Sequence, residues 1–301
     1  MRIDKLFVIG AMLVGAFAFS ACSDDDDYKA GEPAGENNVT FLTYSNPVME
    51  KTATSFDVTL NRHTTQGTLS VPVEKLIVPE GWNVPETASF AAGDSLATIT
   101  VTPAADMSLN TNYDFVLRVP ESYTNSYKQN YGHETNTYKV EVVKEDYETF
   151  ATGTYNELFF TVDDDNPNGM QWPVTIEYSP GLDVYRIKSM LEPIDDVAGY
   201  HFYFKWNKET GDKQSFTLCA SDGGKQTSTQ AGFEYGNYGM VSYGWAAKTN
   251  DPSKYTDEDN KANFGGYVAS ENMFVLPWKH NVSAGSFGVG TDFIRDVKFA
   301  K

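Results

Sequence analysis

Two patterns of apolar residues organise this chain. Positions 6–19 are apolar almost without a break, whereas from Val39 onward apolar and polar residues alternate over short runs. Alternation with period two sends successive side chains to opposite faces, so each run predicts a strand with one buried face. Phe56, Val58 and Leu60 follow this rule, as do Leu69, Val71 and Val73, then Ile99 and Val101 among threonines, and the segments 113–119 and 138–143. Segments 155–160, 172–178, 184–187, 200–206 and 215–219 read the same way. The turns between them, such as 179–183 and 207–211, are short and bear Gly, Asp or Asn. Short turns of that composition join antiparallel neighbours. After the leading apolar run, no window repeats apolar residues at helical spacing for three turns, so helix is a minor component.

These elements fall into an all-β chain of two units. Residues 28–38, with Gly31, Pro33 and Gly35, hold too little apolar surface to order themselves and form a spacer. Residues 39–145 carry six or seven strands, enough for a two-sheet sandwich. The charged stretch 144–148 marks a boundary, and residues 146–301 make a second antiparallel β-rich unit, a sandwich or a partly closed barrel. Between 226 and 272 glycine becomes frequent and alternation fades, which predicts long loops inserted between strands.

The leading segment has its own chemistry. A basic lead (Arg2, Lys5), the apolar run, and Ser20-Ala21 before Cys22 compose a lipoprotein signal peptide spanning 1–21. The run is short for a membrane span and is followed by acid, not by a basic stop-transfer flank. Cleavage before Cys22 leaves a thiol for acylation, and several acyl chains hold a protein to a membrane far better than one. Residues 22–38 then form a lipidated acidic tether. Its start, Ser23-Asp24-Asp25-Asp26-Asp27, resembles the acidic tag behind the lipid-bearing cysteine of surface-exposed Bacteroidetes lipoproteins. That resemblance implies an outer-membrane, cell-surface location, with lipid as the sole membrane contact.

In the first unit, Phe56-Asp57-Val58-Thr59-Leu60-Asn61-Arg62, the Phe90-Ala91-Ala92-Gly93 stretch leading into Thr98-Ile99-Thr100-Val101, and residues 113–119 resemble strands of Calx-beta and related immunoglobulin-like domains. The resemblance covers about 105 residues and implies an N-terminal immunoglobulin-like β-sandwich. Calcium-binding members carry an acidic pair and a glutamate before the penultimate strand. This chain has Ala105-Asp106-Met107-Ser108-Leu109-Asn110 there, a departure that points to a spacer or interaction role.

A net charge of -18 excludes a nucleic-acid partner, which needs clustered Lys and Arg. Once Cys22 is assigned to lipid, Cys219 has no intramolecular partner and reads as a small buried hydrophobe. Starting at Asp164, the run Asp164, Asn166, Asn168 and Gly169 fits the first half of a calcium-loop pattern, but its twelfth position is Thr175 instead of glutamate. The run therefore reads as an acidic turn, with a weak calcium site as the alternative and no cofactor otherwise expected. The four histidines (63, 133, 201, 280) are dispersed and read as structural or surface residues. No nucleophile elbow, phosphate loop or dinucleotide fingerprint is present, so the chain is read as a non-enzyme.

The remaining candidate is aromatic. Tyr235, Tyr238, Tyr243 and Trp245 lie among Gly236, Gly239 and Gly244, with Asn237, Lys248, Asn250 and Asp251 close by. Ring faces stack on the C–H faces of sugars, while amide, acid and amine groups serve the hydroxyls. The expected function is a non-catalytic, monomeric surface lipoprotein that binds glycan or captures polysaccharide. In architecture it resembles accessory lipoproteins of Bacteroidetes polysaccharide-utilisation systems. The alternative is a structural or adhesion lipoprotein whose partner is another surface protein.

Overall fold

A computed structural model describes residues 38–42, 45–125, 134–194, 199–208, 215–226, 228–245 and 265–301. Cys22 and the tether through residue 37 lie outside the described residues. The chain is all-β. Its described helical segments are single 3-10 turns at Glu121–Tyr123 and Gly236–Tyr238.

The first ten strands are β1 (Val39–Leu42), β2 (Val48–Met49), β3 (Phe56–Arg62), β4 (Leu69–Pro72), β5 (Glu74–Ile77), β6 (Thr87–Phe90), β7 (Leu96–Val101), β8 (Asn112–Arg118), β9 (Glu134–Thr135) and β10 (Thr137–Lys144). They build one sheet in the order β7-β3-β1-β9, a second in the order β2-β10-β8-β5, and a two-stranded β4-β6 sheet. Every pairing is antiparallel except β10 with β2. The register Val58↔Ile99 and Leu60↔Ala97 keeps the apolar phase of β3 and β7 on one face. There it meets Phe115, Leu117, Val140 and Val142 in a common core.

Arg62 is buried in that unit. Its Nε donates to the Asp94 carbonyl at 2.6 Å, and one terminal nitrogen donates to the carbonyls of Ala91, at 2.6 Å, and Gly67, at 3.0 Å. The basic residue that ends β3 thus ties two loops together through their backbone.

The remaining strands are β11 (Glu148–Asn156), β12 (Gln171–Ser179), β13 (Val184–Lys188), β14 (Phe202–Asn207), β15 (Ser215–Leu218), β16 (Ser228–Glu234), β17 (Met240–Trp245), β18 (Gly266–Val268), β19 (Met273–Val282) and β20 (Gly285–Phe299). They form a single ten-stranded sheet in the order β15-β14-β13-β12-β11-β20-β19-β17-β16, with β18 also paired to β19. All of its pairings are antiparallel. The sheet curls until Phe216 of β15 donates its backbone N–H to the Gly265 carbonyl beside β18, at 2.9 Å. The result is a nearly closed barrel, the second of the two shapes the alternation allowed. Its interior is packed with side chains, among them Tyr155, Trp172, Phe202, Phe233, Tyr243 and Trp278. The bend is eased by bulges where β11 meets β12 and β20.

Two expectations need correction. Segment 226–272 is not a set of loops throughout: β16 and β17 make a hairpin within it. Ala231 and Phe233 on one strand and Val241 and Tyr243 on the other alternate into the barrel. Glycine at the tip hid that alternation in the sequence. Segment 155–160 is not one strand either. β11 ends at Asn156, and the chain turns because the Glu157 carboxylate accepts the backbone N–H groups of Phe159 (3.1 Å), Phe160 (2.9 Å) and Thr161 (2.7 Å).

Candidate functional site

The β16–β17 hairpin closes through the 3-10 turn at Gly236–Tyr238, in which the Tyr238 N–H donates to the Tyr235 carbonyl at 3.0 Å. Gly236 (φ 49°) and Gly239 (φ 83°) supply left-handed backbone that other residues adopt with difficulty. A Cβ on Gly239 would also lie 2.9 Å from the Ser283 Cβ, so this tip packs directly against the β19–β20 turn. The Ala284 N–H donating to the Tyr238 carbonyl at 3.1 Å fastens the two tips together.

This arrangement leaves Tyr235 40%, Tyr238 50% and Phe287 39% exposed. The two tyrosine rings are nearly parallel, inclined by 22° with centroids 6.1 Å apart. Phe287 meets both edge-on, at 5.8 and 5.2 Å. Exposed aromatic surface with polar tips suits a partly wet contact with a ligand. Asn237 is exposed between the tyrosines.

The other predicted site residues fare differently. Tyr243 is fully buried in the barrel core and is withdrawn from the ligand surface, because β17 turns its odd-numbered side chains inward with Val241. Trp245 ends β17 with its backbone opposite Trp278; its side chain lies outside the described residues, as do Lys248, Asn250 and Asp251. Asp164, Asn166 and Asn168 are exposed in a turn organised by Asp163, whose Oδ1 accepts the N–H groups of Asp165 at 2.9 Å and Asn166 at 2.6 Å. Gly169 has φ 66°, and a Cβ there would come within 1.8 Å of the Glu157 carbonyl oxygen. Close packing on Glu157, as much as any metal loop, accounts for that glycine.

Beneath the exposed rings lies a cluster the sequence reading missed. Phe160 supports Tyr235 at 5.1 Å, and Phe159 stacks flat on the His280 imidazole, with centroids 4.0 Å apart and planes 9° apart. His280, Glu157 and Asp292 are each 0% exposed and offer ligand atoms within 4.8 Å of one another. Asp292 accepts the Tyr155 hydroxyl at 2.6 Å and the Leu158 N–H at 3.0 Å. Burial, reinforced by the Glu157 charge, pushes the Asp292 carboxyl up to about 7, and burial draws His280 down to about 4.

Each member sits in the apolar phase of its segment. Glu157 is two residues beyond Tyr155, His280 two beyond Trp278, and Asp292 two before Ile294, and those three neighbours are all core residues. The usable signal was a polar side chain at an inward position of three separate strand-like runs. One imidazole and two carboxylates can hold a divalent cation.

A cleft of about 590 Å³ opens elsewhere, where β10 passes into β11, lined by Glu50, Lys51, Glu145, Tyr147, Glu177 and Arg186. Its charged groups are largely committed to each other. Arg186 pairs with Glu145 and, at 2.7 Å, with Glu177, while Lys51 pairs with Glu148. No helix among the described residues is long and apolar enough to cross a membrane.

No protein-family model matches the chain, and no curated protein matches it. Among solved structures it is similar to the calcium binding domain CBD12 of CALX1.1, at 10% identity and a TM-score of 0.28, over 54% of this chain and 90% of that one. An auxiliary nutrient binding protein from Bacteroides thetaiotaomicron VPI-5482 is similar at 9% identity and a TM-score of 0.27, over 82% and 84% of the two chains. A multidomain protein including DUF1735 from Bacteroides ovatus is similar at 7% identity and a TM-score of 0.28, over 87% and 94%. Likenesses at these values carry no argument about ligand or activity.

Proposed function

We propose that this chain is a non-catalytic lipoprotein of the outer-membrane surface, held by acylated Cys22, that grips a glycan on the Tyr235–Tyr238–Phe287 surface. The observation that carries the reading is the pair of nearly parallel, exposed tyrosine rings at a glycine-shaped hairpin tip. Two rings fixed by backbone geometry lose little side-chain freedom on binding, and Asn237 places an amide within the same turn. The absence of a catalytic motif and the full burial of Glu157, His280 and Asp292, which keeps their reactive atoms from a dissolved substrate, support a binding role.

The test is a binding isotherm across a polysaccharide panel, repeated with Tyr238→Ala and Phe287→Ala. Each ring is exposed, so each variant retains the unfolding midpoint of the parent while affinity falls about tenfold or more. Unchanged affinity in both variants withdraws this surface as the site.

One observation favours the adhesion reading. β5 lies at the edge of its sheet, and Leu76 and Ile77 on it are 47% and 49% exposed. An open apolar edge accepts a strand from a partner protein. Loss of a defined surface partner in Leu76→Lys/Ile77→Lys, with glycan affinity preserved, would transfer the function to that edge.

A further inference from the structure

Glu157 and Asp292 place two carboxylates inside the barrel, both 0% exposed. A desolvated carboxylate costs several kcal/mol unless an opposite charge or a bound proton compensates it. Among the described residues, no ion pair reaches either group. Glu157 has its three backbone N–H donors and Asp292 has the Tyr155 hydroxyl and the Leu158 N–H, so hydrogen bonds orient both carboxylates without neutralising them. The third member sharpens the problem. His280 is 0% exposed, and neither Nδ1 nor Nε2 has a hydrogen-bond partner. A buried imidazole left bare on both nitrogens carries a penalty that native interiors avoid.

One occupant resolves both deficits. We propose that Glu157, His280 and Asp292 bind a divalent transition-metal cation of the zinc class. Two carboxylates and a neutral imidazole around a dication leave no net charge, and the imidazole gains the partner it lacks. The nitrogen ligand and the small number of oxygens select against calcium and magnesium, which take six or more oxygen ligands or keep several waters. The surroundings are those of a supported metal centre. Tyr155 orients Asp292, the turn at 158–161 orients Glu157, and Phe159 fixes the plane of His280. A Cβ on Gly290 would lie 2.8 Å from the His280 Cε1, so the strand leaves room for the ring and little more. The ion would bind the turn carrying Phe159 and Phe160 to β19 and β20, directly under the exposed rings. Its role is structural, and the inference stands whether or not those rings bind glycan.

The experiment uses untagged, detergent-solubilised full chain, stripped with a chelator and titrated calorimetrically with Zn²⁺, with metal content read by mass spectrometry. The expected result is one Zn²⁺ per chain and a raised melting temperature, with no shift from Mg²⁺ or Ca²⁺ at the same concentration. His280→Ala and Asp292→Asn each lower Zn²⁺ affinity by about 100-fold or more, and Tyr155→Phe, which preserves the core, lowers it by about tenfold. Substoichiometric uptake of Zn²⁺, Mn²⁺, Co²⁺ and Ni²⁺ by the stripped wild-type chain overturns the proposal. Zn²⁺ affinity unaltered in Tyr155→Phe together with either ligand variant overturns it as well. If the ligand variants do not fold, wild-type stoichiometry and the Tyr155→Phe affinity decide the matter.

Discussion

The guanidinium carbon of Arg186 lies 3.9 Å from the centroid of the Tyr147 ring, and that contact fixes the short link between the two sheet systems. The link is residues 145–147, and Arg186 also pairs with Glu145 within it and with Glu177 on β12. Asp146 accepts the Ser179 hydroxyl and, at 2.8 Å, the Gly181 N–H, while its own N–H donates to the Asn110 side chain at 3.2 Å. The charged stretch that reads in sequence as a boundary is a packed and hydrogen-bonded joint.

Removing the cation from that joint leaves the Glu145 carboxylate, 13% exposed, without its ion pair, and leaves Glu177, 11% exposed, with the longer contact to Lys188 at 3.4 Å. Arg186→Met is expected to lower unfolding free energy by ~3–5 kcal/mol. Lys51→Ala breaks the solvent-exposed pair with Glu148 and is expected to leave the unfolding midpoint nearly unchanged. Urea unfolding of the two variants against the parent gives both numbers, and comparable losses would show that the buried pairs have no special weight.

Gly169 offers a second test, because its position combines φ 66° with a backbone oxygen 1.8 Å from where a Cβ would sit. Gly169→Ala must move the Glu157 carbonyl as well as accept a left-handed conformation, and is expected to destabilise by more than ~2 kcal/mol. Gly67, with φ 69° and nothing within 4 Å, is the control, and its alanine variant is expected to cost ~1 kcal/mol. Equal effects in thermal melts would mean that the contact with Glu157 is not the cause.

The strands were legible in the sequence because half-buried sheets write a period-two code, as the register of Val58 with Ile99 and Leu60 with Ala97 shows. The exposed pair Tyr235 and Tyr238 was legible through the glycines that hold the turn. Tyr243 was misplaced for a physical reason: three glycines in the neighbourhood concealed that β17 alternates, and composition alone does not tell an inward tyrosine from an outward one. Phe287 went unnoticed because it sits on a strand distant in sequence and reaches the tyrosines only through the meeting of two hairpin tips. The Glu157–His280–Asp292 cluster was hidden for the same reason, since three segments up to 135 positions apart come together only when β11 and β19 pair on either side of β20.

Cys219 gives a chemical readout of burial. It is 3% exposed, packs with Tyr147 and Val184, and has its thiol pushed up to about 11 by burial. The thiolate is the reactive form, so at pH 8 alkylation of Cys219 in the native chain is expected to run at least ~100-fold slower than in guanidinium-unfolded chain. Peptide mass mapping reads Cys219 separately from Cys22. Native labelling at the unfolded rate would place the thiol in solvent.

His201 makes stability depend on pH in a definable window. Its Nδ1 accepts the Ser189 N–H at 3.0 Å, which requires the neutral ring. Burial chiefly, and then the Arg186 and Lys188 charges, hold its pKa down at about 4 against an ordinary 6.5, with Glu177 opposing them. As pH falls below 6.5 the unfolded chain takes up a proton that the folded chain refuses, so unfolding gains and stability declines. The decline runs from pH 6.5 to about 4 and contributes nothing further below that, where both states are protonated. Glu50 and Asp146, held below ordinary values of 4.5 and 3.8, enter only at the acidic end of this range. His201→Asn keeps an acceptor near the Nδ1 position but cannot titrate, so subtracting its stability profile from that of the parent isolates the histidine. The difference in urea midpoints between parent and variant is expected to be constant above pH 6.5 and to shift steadily against the parent between pH 6.5 and 4. A difference that stays flat across that interval would mean the folded histidine protonates as readily as the unfolded one, with the Ser189 hydrogen bond no obstacle to it.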